Sequence, residues 1–243
     1  MFTRRELLGF LGGGAAVSLA GCWREVTPQS TRASMPPSAE VMTLPACVVR
    51  PQQSEGPFFV EERLNRSDIR SDPTSGLIKA GVPLQLTFRV LQLRDRRCIP
   101  LSEAIVDLWH CDAEGLYSDA DSFRGNTVGQ QFLRGYQVTN TQGMAQFTTI
   151  FPGSYPGRAV HIHFKIRSAQ TSNLPYEFTS QLYFDDAVTE TVLAGSTYSQ
   201  GGAWTPNPRD GLFQAGGEQL TIALEESSNS LVGEFSIALD MDF

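Results

Sequence analysis

Strict alternation of apolar and polar residues is the strongest pattern along the chain. An apolar side chain stands at every second position over residues 82–90, and residues 235–243 repeat the pattern. Because successive side chains of a strand point to opposite faces, a period of two predicts strands with one face on a core. Both segments are therefore predicted to be strands.

Further short apolar segments lie between these two strands, separated by turn-forming residues. They are residues 103–110, 133–139, 144–150, 159–167, 179–184 and 219–225. Many short strands punctuated by Gly, Pro, Asn and Asp predict an all-β protein built as a β-sandwich. One short helix is predicted over about residues 186–194, with Asp185 and Asp186 as candidate caps.

Two long segments, residues 51–76 and 195–217, have no regular period. Connections of this length in a compact domain are usually either functional loops or disordered ones. Phe58, Phe59 and Trp204 give both segments large apolar side chains. We therefore expect ordered loops that pack over the sandwich.

The N-terminal region has the composition of an export signal. Arg4 and Arg5 precede a short, glycine-rich apolar stretch over residues 9–20, which is typical of a twin-arginine signal peptide. The following Leu-Ala-Gly-Cys, ending at Cys22, has the form of a bacterial lipobox. An ordinary secretion signal with an incidental cysteine is the alternative interpretation. A periplasmic or cell-surface protein, touching the membrane only through a lipid on Cys22, is the expectation.

This reading divides the chain into three parts. Residues 1–22 are the predicted signal, and residues 23–45, rich in Pro, Ser and Thr, are a predicted flexible tether. Residues 46–243 then form one predicted catalytic domain. The formal charge of the chain is −7, and loss of the signal removes two arginines and one glutamate, which leaves a mature chain near −8. Such a balance gives no basic footprint for nucleic acid.

Three cysteines follow the proposed lipid attachment site. Cys47, Cys98 and Cys111 can make one disulfide and leave one thiol, and sequence alone does not choose the pair. A bridge between Cys98 and Cys111, flanking one strand, is the preferred prediction in an oxidising compartment.

Two of the three histidines, His161 and His163, stand two residues apart in a predicted strand. Residues two apart share a strand face, so both imidazoles project together while Ile162 faces the core. Paired imidazoles on a rigid strand form half of a metal site. A bare His-x-His is equally typical of polar side chains on a wet strand face.

The surrounding motifs decide between these two interpretations. Residues 106–118, VDLWHCDAEGLYS, and residues 148–158, TTIFPGSYPGR, resemble the two signature segments of intradiol ring-cleavage dioxygenases. This is the family of catechol 1,2-dioxygenase and protocatechuate 3,4-dioxygenase. Further similarities stand at 52–59, 134–135 and 179–184, and together they span about residues 47–187. The resemblance implies a prealbumin-like β-sandwich with long ordered loops and one or two short helices.

The resemblance also implies a metal and its ligands. Tyr117, Tyr155, His161 and His163 stand where the family has its iron ligands, so one Fe(III) per chain is expected. Tyr155 and His163 would be axial, and the other two equatorial. Two phenolates suit ferric iron because hard anionic oxygen donors offset its charge.

Roles in a reaction follow from the same resemblance. The implied activity is cleavage of a catechol-type ring by O2 between its two hydroxylated carbons, which gives a cis,cis-muconate type diacid. Tyr155 would act as a general base after displacement from the metal. Arg158 would stabilise negative charge developing on the ring, and Gln181 would hydrogen-bond near the ring face or the O2 pocket. The substrate is left open, as is a homo-oligomer.

Three nearby polar residues are not predicted to bind metal. His110 is expected to be structural, Asp107 to anchor a loop, and Asp112 to be no ligand. A non-catalytic, lipid-anchored, transthyretin-like binding module and an HxH copper or zinc protein are the alternative functions. A binding module has no need for two tyrosines and two histidines in this order, and a visible tyrosinate-to-Fe(III) absorption would separate a dioxygenase from both alternatives.

Overall fold

Strands dominate the part of the chain that the computed structural model describes, which comprises residues 47–122, 125–169, 175–198 and 203–240. The predictions of a signal peptide and a tether fall on the first 46 residues and lie outside this part. Within the described residues, no helix has both the length and the apolar character needed to span a membrane.

The described residues form twelve strands, two α-helices and three 3₁₀-helices. The strands are β1 (Pro83–Arg94), β2 (Arg97–Pro100), β3 (Ile105–Trp109), β4 (Asp121–Ser122), β5 (Gly125–Asn126), β6 (Arg134–Val138), β7 (Met144–Ile150), β8 (His161–Arg167), β9 (Glu177–Phe184), β10 (Thr221–Ile222), β11 (Glu225–Ser227) and β12 (Ser230–Asp240). The α-helices are α1 (Asp186–Leu193) and α2 (Gly211–Gln214), and 3₁₀-helices cover Ser196–Tyr198, Asn207–Arg209 and Gly217–Leu220.

Each sheet has one long central strand. In the first sheet β1 pairs in parallel with β12, which in turn pairs with β11, while β2 and β7 are both antiparallel to β1. The second sheet has the order β10-β9-β8-β3-β6. Strands β4 and β5 pair with each other in antiparallel fashion. The predicted all-β class is confirmed.

The core lies between the two sheets and is built from the alternating positions. Leu84, Leu86 and Phe88 of β1 are buried, and the Phe88 ring lies 5.3 Å from that of Phe164 on β8. Full burial of one such side chain contributes roughly 1.5–3 kcal/mol. The period of two seen in the sequence therefore marks the inner face of the sandwich.

Strand β8 is unusual because both of its faces are buried. Ile162, Phe164 and Ile166 face the core, whereas His161 and His163 lie on the opposite face and are equally inaccessible. The segments that precede β1 and follow β9 cover this second face. The expectation of ordered loops holds for their described residues, and residues 199–202 lie outside the description.

The predicted helix is confirmed, and one predicted strand is corrected. Asp185 caps α1, since its side chain accepts a hydrogen bond from the Ala187 N–H. The apolar segment 219–225 is mostly not a strand: it ends the 3₁₀-helix Gly217–Leu220, forms the two-residue β10, and reaches only the start of β11. Leu220 and Ile222 are buried by packing of this turn instead of by a long ladder.

The preferred disulfide prediction is wrong. Cys47 is bonded to Cys98, with their Cα atoms 5.6 Å apart. Cys98 lies in β2 at the edge of the first sheet, next to the end of β1, and the chain just after Cys47 runs beside β12 in the same sheet. Cys111 follows β3 in the other sheet and stays buried there, with its thiol 3.5 Å from the Gly153 carbonyl.

Candidate metal centre

Four donor atoms converge outside the second sheet. The His161 Nε2 atom lies 3.1 Å from His163 Nε2, 3.0 Å from the Tyr155 hydroxyl and 3.4 Å from the Tyr117 hydroxyl. Donors about 2.1 Å from a common ion and about 90° apart are themselves about 3 Å apart. The spacing of these atoms therefore fits a single metal ion, and the sequence-predicted ligand set is brought together in one place.

Glycines allow the two tyrosine-bearing loops to meet. Gly115 has a φ of 80°, and a Cβ there would collide with the Ser154 carbonyl oxygen. A Cβ on Gly153 would collide with the backbone at Ala113. The loop before Tyr117 thus packs directly on the backbone before Tyr155. The glycines of the two sequence segments are needed for this close approach.

The two imidazoles are held in different ways. The Nδ1–H of His161 donates to the Ala159 carbonyl at 2.6 Å, so the Nε2 lone pair faces the centre. His163 Nδ1 has no hydrogen-bond partner among the described residues. Its ring instead lies parallel to Trp109, with centroids 5.0 Å apart, and a Cβ built on Gly56 would stand 3.2 Å from its Cε1 atom. Packing alone therefore orients His163.

Burial sets the protonation of the four side chains. Desolvation lowers the pKa of His161 to about 3 and that of His163 well below its usual value, so both imidazoles are neutral at physiological pH. Desolvation also raises the pKa of Tyr155 to about 12 and that of Tyr117 well above its ordinary value. The protein alone supplies two neutral nitrogen donors and two protonated phenols.

Arg158 reaches the centre from the turn before β8. One terminal nitrogen of its guanidinium lies 3.4 Å from His161 Nε2, and the other donates to the Gln181 side-chain oxygen. The Gln181 amide donates in turn to the Ser54 carbonyl at 2.9 Å. Both predicted polar residues are thus placed beside the four donors, and each is tied to the other.

Two buried residues complete this network. The Tyr183 hydroxyl lies 3.1 Å from the Gln181 oxygen and donates to the Gln53 oxygen at 2.9 Å. Asp210 accepts from Arg158 Nε at 2.9 Å. Burial would raise the pKa of Asp210, but the Ala159 N–H and the Arg158 charge outweigh it and hold that pKa below its usual value.

Aromatic residues from the loop before β1 cover the tyrosine and the tryptophan. Phe58 stacks on Tyr117 with ring centroids 4.4 Å apart, and Phe59 meets Trp109 at 4.8 Å. Lys165, on the same face of β8 as the histidines, lies 4.0 Å from the Phe59 centroid and forms an ion pair with Glu55. These contacts keep water from the buried side of the centre.

The three polar residues not expected to bind metal lie outside the centre. His110 is fully buried, with Nε2 2.7 Å from the Thr149 hydroxyl. Asp107 pairs with Arg167 at 2.7 Å, and Asp112 accepts the N–H groups that close the turn before Tyr117. Among the described residues no three His, Cys, Asp or Glu side chains cluster as a metal site. The centre therefore depends on its tyrosines.

Sequence reasoning missed several residues of the centre. Tyr183 had a usable signal, because it stands two residues after Gln181 and so shares its strand face. Trp109 pairs with His163 across β3 and β8, a register that no local pattern gives. Asp210 lies 52 residues from its partner Arg158 in an irregular segment, where nothing in the sequence points to it.

Two cavities differ in size and in their distance from the four donors. A cavity of about 60 Å³ opens beside Tyr117 and Tyr155, walled by Phe58, Ala120 and Pro156. A larger one, about 480 Å³, lies between Arg50, Tyr176 and Leu239, away from all four donors. Size alone would favour the larger cavity, but it has no convergent donor groups, so we assign the chemistry to the smaller one.

Two tyrosines and two histidines thus meet beside one strand of a β-sandwich, with a spacing that fits one metal ion. A family model described as a dioxygenase matches residues 54–200, which contain all four donors. The chain belongs to the intradiol ring-cleavage dioxygenase family, whose enzymes act on catechol-type substrates with O2. The implied prealbumin-like fold is thereby confirmed.

Individual relatives agree with this assignment. Over 196 residues the chain is 29% identical to the protocatechuate 3,4-dioxygenase beta chain of Burkholderia cepacia, covering 75% of this chain and 76% of that one. It is 25% identical to catechol 1,2-dioxygenase 1 of Acinetobacter lwoffii, covering 63% of this chain and 55% of that protein. An intradiol ring-cleavage dioxygenase structure from Tetranychus urticae has a TM-score of 0.68 and 32% identity, covering 81% of this chain and 96% of that one.

Proposed function

We propose that the protein is an Fe(III)-dependent dioxygenase that cleaves a catechol-type ring between its two hydroxylated carbons and releases a cis,cis-muconate type diacid. The observation that carries this proposal is the convergence of donor atoms from Tyr117, Tyr155 and His163 within 3.0–3.4 Å of the His161 Nε2 atom. All four residues lie within the stretch matched to the dioxygenase family.

The donor set fits ferric iron. Two neutral imidazoles and two phenols become, on loss of the phenol protons, a ligand set of net charge −2, which offsets a trivalent ion. Bound iron would lower the pKa of both phenols and draw electron density from a chelated catecholate, so that O2 attacks the ring carbon.

Tyr155 is the proposed proton acceptor. It is less buried than Tyr117, and both tyrosines line the same cavity. Once bound iron had displaced the phenol proton, the Tyr155 oxygen would accept one of the two hydroxyl protons of a catechol in this cavity. Tyr117, which is stacked under Phe58, stays in place.

Arg158 and Gln181 form the proposed polar wall of the site. The Arg158 guanidinium is fixed by Asp210 on one side and by Gln181 on the other. Its positive charge therefore faces the ring without having to reorganise when negative charge develops there. Because Ser54 holds the Gln181 amide, the oxygen of that side chain stays directed at Arg158.

A spectrum and a product analysis test this function. Iron-loaded protein is expected to be burgundy, from a broad visible tyrosinate-to-Fe(III) band, and to consume O2 with a catechol panel. The product from catechol, if it is accepted, should absorb in the ultraviolet as a muconate. A yellow semialdehyde would mean cleavage outside the hydroxylated carbons and would contradict the assignment. A colourless protein after iron loading would favour the binding module or the copper or zinc alternative.

Export and lipid attachment are proposed on sequence grounds alone. The arginine pair and the lipobox at Cys22 support a periplasmic or cell-surface enzyme held by a lipid, with residues 23–45 as the tether. Cys22→Ser is expected to abolish palmitate labelling and to release an active domain from membranes, because every proposed catalytic residue follows residue 47. A wild-type protein that carries no label would refute the anchor.

A further inference from the structure

The carboxylate of Asp210 is buried, and it is shared between the centre and a short helix. Only 1% of the residue is exposed. Its Oδ2 accepts from Arg158 Nε at 2.9 Å and from the Ala159 N–H at 2.7 Å. Its Oδ1 accepts from the first N–H groups of α2, at Leu212 and Phe213. Four donors thus fix both carboxylate oxygens.

Each partner on the Oδ2 side leads to a group of the candidate metal centre. The Arg158 guanidinium continues to Gln181 and lies 3.4 Å from His161 Nε2. Ala159, whose N–H binds Asp210, presents the carbonyl that orients the His161 ring. One carboxylate therefore fixes the direction of Arg158, and it also fixes the turn that directs the His161 imidazole.

We propose that Asp210 is a positioning residue of this centre, which aims Arg158 by its charge and His161 through the backbone of Ala159. The inference rests on the proposed function for its effect on catalysis. Asp210 lies beyond residues 54–200, the stretch matched to the dioxygenase family. The family match therefore assigns Asp210 no role. The simplest alternative is that Asp210 serves only as the N-cap of α2.

Asparagine separates the two descriptions. Asn is as good a helix cap as Asp, so Asp210→Asn keeps an oxygen for the N–H groups of Leu212 and Phe213. Its amide would then direct N–H groups at the N–H groups of Arg158 and Ala159, and the charge would be lost. Asp210→Ser also caps the helix, without this clash. Asp185→Asn is the matched control, because Asp185 caps α1 from an exposed position away from the centre.

Two measurements, turnover and iron affinity, test the effects of Asp210 on Arg158 and on His161. We expect Asp210→Asn to lower kcat roughly 10- to 100-fold, the range for groups that orient metal ligands, with a smaller change in KM. Iron affinity, measured by competition with a chelator, should fall by a similar factor. Asp185→Asn should change neither quantity more than about twofold. Near wild-type kcat and iron affinity in Asp210→Asn would overturn the proposal.

A double-mutant cycle excludes a purely structural effect. If Asp210 acts on turnover through Arg158, its substitution should lower kcat much less in an Arg158→Ala background than in the wild type. Losses that simply multiply would overturn the proposal, and so would loss of the folded sandwich in both Asp210→Asn and Asp210→Ser. A wild-type protein that binds iron but cleaves no catechol would refute the proposed function, and iron affinity in the variants would still decide the role of Asp210.

Discussion

Substitution of Gly56 by alanine should disturb the metal centre through His163. Gly56 has a φ of 74°, and a Cβ there would stand 3.2 Å from the Cε1 atom of His163. Trp109 lies parallel to the ring and blocks one direction of movement, and no hydrogen bond to Nδ1 within the described residues holds the ring in place. The new methyl group is therefore expected to shift the imidazole by a few tenths of an ångström.

Gly76 provides a control for the backbone strain. It has the same φ of 74°, but nothing lies within 4 Å of a Cβ built there. A left-handed conformation costs a non-glycine residue about 1–2 kcal/mol, so both alanine variants should lose about that much stability. Pro57 restricts residue 56 further, which adds to the loss of stability in Gly56→Ala alone. Stability is therefore not the measurement that decides.

Iron affinity is the measurement that decides. We expect Gly56→Ala to bind iron about 10-fold more weakly than Gly76→Ala in a chelator competition, since a displaced ligand is comparable with a lost orienting contact. The visible tyrosinate band of the loaded protein should shift only in Gly56→Ala. If the two variants bound iron equally well, packing on Gly56 would not orient His163.

Three further predictions concern single side chains. His161→Ala and His163→Ala should each lose iron by metal analysis, because each removes one of two nitrogen donors; stoichiometric iron in either variant would exclude that residue as a ligand. Tyr155→Phe should keep iron but lose turnover, and near wild-type turnover would refute the base assignment. Burial lowers the pKa of His110 to about 4. The unfolded chain therefore binds more protons as pH falls from about 6.5 to about 4, and stability is lost on acidification, by about 2 kcal/mol between pH 7 and pH 5. Denaturant unfolding of the iron-free His110→Gln variant should show a smaller loss of stability between pH 7 and pH 5 than the wild type. A pH dependence of stability equal to that of the wild type would contradict this prediction.

The strands that sequence predicted well are those with a buried face. The segment 144–150 coincides with β7, because its alternation follows from one face being packed on the core. Strands β2, β4 and β5 are short and mostly exposed, so only their pairing partners define them and no apolar pattern marks them. The disulfide was mispredicted for a similar reason, since the sheet to which Cys98 belongs depends on the hairpin from β1.

The residues of the candidate site also differ in whether a local sequence pattern reveals them. His161 and His163 were found from local period, because a strand places alternate residues on one face. Tyr117 and Tyr155 came from family resemblance, since loop residues have no period from which their direction could be read. Asp210 came only from the structure, as its contacts join distant parts of the chain. Packing between irregular segments is the part that sequence patterns do not specify.

Burial acts in opposite senses on the two kinds of donor, and this favours a trivalent metal. It keeps the imidazoles of His161 and His163 neutral, so their lone pairs are available without loss of a proton. The same burial raises the pKa of Tyr155 to about 12, so forming that phenolate at pH 7 costs about 7 kcal/mol before any metal binds. A bound ion must offset the free energy of deprotonation for both Tyr155 and Tyr117. Its attraction to the two phenolates grows with its charge. A divalent zinc or copper ion attracts two phenolates less strongly than ferric iron does. The two histidines and water molecules would be sufficient ligands for such an ion.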